Sequence, residues 1–103
     1  MRIMTGPLAV AYNSMLQAGR ALIYSRGFRT IGAYRHIGVI EFVHEEFGRR
    51  ITDDMIFVFN KLRKKRHRVV YDVADLTGRE EAENALKTAG EFVARVHEIL
   101  ENY

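Results

Sequence analysis

The stretch 52-TDDMIFVFNKLRKKRHRVVYDVA-74 decides the fold. Within it Met55, Phe59, Leu62, Arg66, Val69 and Val73 recur at steps of four, three, four, three and four. Steps of that size keep side chains on one face of an α-helix and rule out a strand. Thr52 has the side chain of an N-cap, and Asp53 and Asp54 put two carboxylates on the positive end of the helix that follows. The spacing predicts a helix running to about Ala74, about 22 residues or roughly 33 Å long. Lys61, Arg63, Lys64, Lys65, Arg66 and Arg68 place six cations in eight residues of it, with His67 among them and no acid.

Working outward, the same period repeats on both sides. Leu8, Tyr12, Met15, Ala18 and Leu22 predict a first helix up to about Arg26, with Pro7 in its first turn and Gly27 as its C-cap. "GFRTIG", residues 27–32, connects it to a second helix with Tyr34, Ile37, Ile40, Val43 and Phe47 as its stripe, stopped by Gly48. Beyond the central stretch, Thr77-Gly78-Arg79-Glu80 has the form of a capping box. The last helix opens there with a stripe of Ala82, Ala85, Leu86, Ala89, Phe92, Val93, Val96, Ile99 and Leu100. The expected fold is all-α: an antiparallel up-and-down bundle of about four helices with short connections, in a single domain spanning residues 1–103.

Composition sets outer limits. Apolar residues make up 48% of the chain, enough for a core without metal or disulfide staples. The absence of cysteine excludes a disulfide framework, a thiolate nucleophile and a cysteine-based zinc site. The glycines form neither a phosphate loop nor a dinucleotide fingerprint. His36 and His44 stand two turns apart, and "HEEF" at 44–47 is not the His-Glu-x-x-His zinc pattern. No metal and no cofactor is expected. No stretch has transmembrane length, and the N-terminus lacks a signal-peptide apolar run, so no membrane association and a cytoplasmic location are expected.

Charge is unevenly placed although the net value is only +3. Residues 79–103 carry six glutamates against Arg79, Lys87 and Arg95. The basic run therefore implies either an anionic partner or a charge-matched contact with the acidic C-terminal helix. Arg63, Lys64, Lys65 and Arg68 form the candidate nucleic-acid-binding set. Arg66 falls in line with core positions, so a carboxylate, a second subunit or a phosphate must face it. Tyr71 lies five residues further on, about 140° around the axis. One molecule does not readily bring both side chains to one small substrate atom, whereas a symmetric dimer pairing two such helices can. Tyr12, Tyr24 and Tyr34 read as core or dimer-seam residues.

The order of "AYNSMLQAGRALIYSRGFRT" (11–30), "YRHIGVIEFVHEEF" (34–47), "LRKKRHRVVYD" (62–72) and "TGREEAENALKTAGEFVARVHEIL" (77–100) resembles the HEPN superfamily, and within it the small prokaryotic UPF0332-type branch. The resemblance implies a helical bundle that dimerises. In many members it implies a metal-independent endoribonuclease with an Arg-x4–6-His motif on the third long helix. Two such motifs, one per subunit, form a cleft where RNA is cut by attack of its own 2′-hydroxyl. Many members belong to toxin–antitoxin pairs with a small nucleotidyltransferase.

Carried over, the resemblance makes Arg66 the motif arginine, His67 the polar position after it, and Tyr71 the residue standing where the histidine would be. No histidine lies four to six residues beyond Arg66. Tyrosine, with an ordinary pKa of about 10, is a poor general base at neutral pH. Two functions follow as expectations. One is an RNA- or nucleotide-binding homodimer acting as a toxin-like ribonuclease through Arg66, Tyr71 and His67. The other is a non-catalytic interaction module for a nucleotidyltransferase. Relatives also carry a helix before the tyrosine-rich one; its absence here implies apolar surface left for a second subunit or partner.

Overall fold

The computed structural model describes residues 6–28, 36–66 and 78–102. They form four helices: α1 (Gly6–Ser25), α2 (His36–Phe47), α3 (Asp53–Arg66) and α4 (Gly78–Glu101). The described residues contain no strand. The expected helical bundle is present, and α1 packs most extensively on α4.

The ends of the helices follow the chemistry of their residues. At the end of α1 the amide of Phe28 donates to the Ile23 carbonyl at 3.3 Å and that of Gly27 to the Tyr24 carbonyl at 2.9 Å. This is a Schellman closure, which needs a left-handed residue at Gly27, and φ there is +86°. Gly48 ends α2 for a different reason. A Cβ at that position would lie 2.7 Å from the His44 carbonyl oxygen, a distance no side chain tolerates. Thr52 caps α3 as its sequence position implies: its Oγ1 accepts from the Met55 amide at 3.1 Å.

An aromatic column fixes the centre of the bundle. Tyr12, Phe59 and Phe92 are fully buried. The rings of Tyr12 and Phe59 are 5.9 Å apart and those of Phe59 and Phe92 5.4 Å apart, both edge to face. That arrangement puts ring edges on ring faces and adds to the hydrophobic gain. Beside the column, Gly19 lets α1 and α2 close together. A Cβ there would stand 2.8 Å from Val39 Cγ1 and 3.5 Å from Val43 Cγ2.

The directions of the helices differ in one place from strict alternation. Antiparallel packing holds between α2 and α3, joined by the turn through Ile51, and between α3 and α4. There Lys65 meets Glu81 at one end, and Arg95 donates to the Arg50 carbonyl at the other. Helices α1 and α2, however, run in the same direction. Tyr12 meets His36, Gly19 abuts Val39 and Val43, and Arg26 meets Glu46 and Phe47. The expectation of short connections fails here because residues 26–35 separate the two helices. Ten residues can reach roughly 33 Å, enough to return along the roughly 30 Å of α1.

Most of the expected core is buried: Tyr12, Met15, Leu22, Ile40, Val43, Phe47, Met55, Phe59, Leu62, Ala85, Ala89, Phe92, Val96 and Ile99. Ile37, Leu86 and Val93 were expected in the apolar stripes but are exposed, as is Tyr24. Val39 takes the inward place on α2 because Gly19 opens the notch it fills. Leu86 and Val93 each lie one position past a buried residue, Ala85 and Phe92, and so rotate to the edge of the packed arc. The expected α3 positions Val69 and Val73, the capping Thr77 and the stripe residue Tyr34 lie outside the described residues, as does the extension of α3 to Ala74.

Candidate nucleic-acid interface

The last two turns of α3 carry the candidate interface. Leu62 is buried and anchors these turns to the core, so the residues around it project in known directions. Lys64 is exposed. Arg63 is half-buried, and its Nε donates to Asn60 Oδ1 at 3.0 Å, one turn back on the same helix. That bond holds the stem of the guanidinium along α3 while leaving its other donors for a ligand.

Lys65 and Lys61 turn to the same carboxylate. Lys65 Nζ donates to both oxygens of Glu81, at 2.8 and 3.0 Å. Lys61 Nζ lies 3.7 Å from Glu81 Oε2. The Glu81 side chain is only 14% exposed, against 27% for Lys65 and 55% for Lys61. Of the two sequence alternatives for the basic run, the charge-matched contact with the acidic C-terminal helix is therefore present for two of the six cations. Lys65, a candidate nucleic-acid-binding residue, is engaged in it.

Arg66 is the last residue of α3. Its side chain, together with His67, Arg68 and Tyr71, lies outside the described residues. A groove of about 800 Å³ opens between α3 and α4 next to the lysine pair. Lys61, Leu62, Glu81, Ala85 and Thr88 line one end of it, and Asp54, Arg95 and Glu98 the other. One end of the groove is thus where the basic run meets the start of α4.

The described histidines each have a partner. His36 Nδ1 is 2.7 Å from the hydroxyl of buried Tyr12, His44 is 3.7 Å from Asp53, and His97 is 3.2 Å from Glu101. Among the described residues no group of three metal-ligating side chains gathers, and no helix is long and apolar enough to cross a membrane.

Sequence reasoning missed Glu81 and Asn60 as individuals. The block of six glutamates announced an acidic helix without saying which carboxylate faces α3. The packing of α3 on α4, with Phe59 against Phe92, sets that register.

The fold and the cationic helix end define a class: an all-α bundle presenting a basic helix terminus beside a groove. The family model described as HEPN domain matches residues 8–100, and the chain belongs to that family. Membership gives it a nucleotide- or RNA-related role in general terms. No curated protein and no solved structure matches the chain.

Proposed function

We propose that this HEPN protein binds RNA through the C-terminal end of α3, with Arg63, Lys64, Arg66 and Arg68 on the phosphodiester backbone and Lys65 beside them. One observation carries the reading. Six cations fall within eight residues of sequence, five of them in the last two turns of α3 beside buried Leu62, and Glu81 offsets one of the six charges. Such a surface attracts a polyanion without reading its sequence, and the attraction weakens steeply with salt.

In the catalytic form of this proposal two copies of the chain pair so that both Arg66 side chains line one cleft. Arg66 stabilises charge developing on the scissile phosphate, while Tyr71 and His67 supply hydrogen bonds or proton transfer. In the docking form the chain cuts nothing and serves as the partner of a small nucleotidyltransferase, as in toxin–antitoxin pairs. Tyr71, standing where the motif histidine would be, favours the docking form, since a phenol near its ordinary pKa is a weak base at neutral pH. Placement in the UPF0332-type branch and a cytoplasmic location belong to both forms.

Incubating structured RNA with the protein in chelator tests the two forms together. RNA retention that falls when Arg63, Lys64, Arg66 and Arg68 are all changed to alanine supports the binding reading, and unchanged retention overturns it. Cleavage that disappears in Arg66→Ala selects the catalytic form, and intact RNA selects the docking form. Light scattering that finds only monomers at micromolar concentration removes the composite cleft.

A further inference from the structure

Among the described residues Glu81 is the acidic side chain that pairs with the cations of α3, and its geometry is specific. Two ammonium groups one turn apart converge on it, Lys65 on both oxygens and Lys61 on one. An i, i+4 pair of lysines on one helix face would repel without an anion between them. A carboxylate held by two ammonium groups presents to them what a phosphodiester presents: a delocalised anion with two terminal oxygens that accept charge-assisted hydrogen bonds.

The surroundings leave one side of this seat open to an exchangeable ligand. The Lys65–Glu81 pair is largely enclosed, whereas Lys61 is half-exposed beside the α3–α4 groove. Lys61, Lys87 and Arg95 line the groove together with Asp54, Glu81, Glu91 and Glu98, and of the two lysines of the seat Lys61 is the more accessible to an incoming anion. Lys64 and Arg63 continue the cationic surface along α3 away from the groove. Glu81 itself sits in the first turn of α4, after Glu80, where the helix dipole keeps a carboxylate in place without the lysines. Displacing the lysines from Glu81 therefore leaves the carboxylate with a favourable position of its own.

We infer that Lys61 and Lys65 form a two-ammonium seat for a backbone phosphate, and that the Glu81 carboxylate occupies this seat as an internal competitor. The inference rests on the RNA-binding reading above and deepens it. It adds Lys61 to the interface and assigns Glu81 a role in setting affinity. The strength of RNA binding is then set by exchange: each phosphate that enters the seat must displace a carboxylate. The chain is thereby selective for polyanions dense enough to supply several phosphates at once over single small anions.

Two measurements on the intact chain test it, with Glu81→Gln, Lys61→Met/Lys65→Met and their triple combination as variants. In the first, inorganic pyrophosphate is titrated while the lysine side-chain NMR resonances are followed. Glu81→Gln is expected to give selective shifts of Lys61 and Lys65 at pyrophosphate concentrations that leave wild type unmoved. Absence of those shifts in folded Glu81→Gln overturns the seat. In the second, a fluorescein-labelled single-stranded oligouridylate is bound across a salt series. Freeing two lysines is expected to tighten binding about tenfold at low salt and to steepen the log–log slope by about 1.4. The triple variant should lose that gain.

A wild type and Glu81→Gln with equal affinity and slope contradict the competitor role while leaving RNA binding intact. If pyrophosphate finds the lysines but no protein binds oligouridylate, the RNA reading falls and the seat stands. Glutamine keeps the shape of the glutamate, and a melting curve checks folding. Should Glu81→Gln fail to fold, Glu81→Asp, one methylene shorter and withdrawn from Lys65, takes its place in both measurements with the same expected direction.

Discussion

The first half of α3 is capped by Thr52 and buries Met55 and Phe59, whereas its last two turns carry Lys61, Arg63, Lys64, Lys65 and Arg66 around a single buried residue, Leu62. The first part is held by contacts that leave no choice of conformation: an aromatic column and a side-chain cap. The second is tied to the core by Leu62 alone, and its charged side chains are held by ion pairs and a side-chain hydrogen bond, which solvent and salt can exchange. The difference teaches where function can reside on a small bundle. Rigidity is supplied at one end of a helix so that exchangeable charge can be presented at the other.

The comparison breaks most visibly in the packed half. Phe59→Ala removes the middle ring of the column, and a loss of about 3–5 kcal/mol is expected in denaturant unfolding. A loss under about 1 kcal/mol would mean that the column does not hold the bundle together. Next comes Gly19→Leu, which drives a side chain into Val39 and Val43. Overpacking of this kind is expected to lower stability by about 2–3 kcal/mol, and an unchanged melting temperature would refute the close approach of α1 and α2.

Smaller effects sharpen the comparison. Thr52→Ala should cost about 1 kcal/mol by orphaning the Met55 amide, readable as a shift in urea midpoint without a change in slope. Tyr12→Phe removes the hydroxyl from His36 and should cost about 0.5–1.5 kcal/mol. In the charged half, Lys65→Met should move stability by no more than about 1 kcal/mol, because a partly exposed ion pair contributes little to folding. A larger loss there would make the pair a structural element and erase the distinction between the halves of α3.

Much of this was legible in the residues. Local rules fixed the helices, their caps and most of the core: the Thr52 cap, the Gly27 closure and the 55–59–62 ladder each depend only on neighbours in sequence. The direction of α2 was not legible, because the length of a connection limits where a helix can go without saying where it goes. Ile37, Leu86 and Val93 were misplaced because apolar spacing marks an arc, and only the position of the neighbouring helix says how wide that arc is. Within the candidate site, the cations were visible as a run, but the partner of Lys61 and Lys65 stands on another helix. No local pattern could single out Glu81 from its five companions.

The most direct test of the central claim is the salt dependence of oligouridylate binding by wild type and by the Lys64→Ala/Arg66→Ala variant. With four or five phosphates neutralised, wild type should give a log–log slope of about −3, and the double variant should flatten it by about 1.4. A wild-type slope near zero, or one that the double substitution leaves unchanged, would contradict the claim that the end of α3 is where this protein meets RNA.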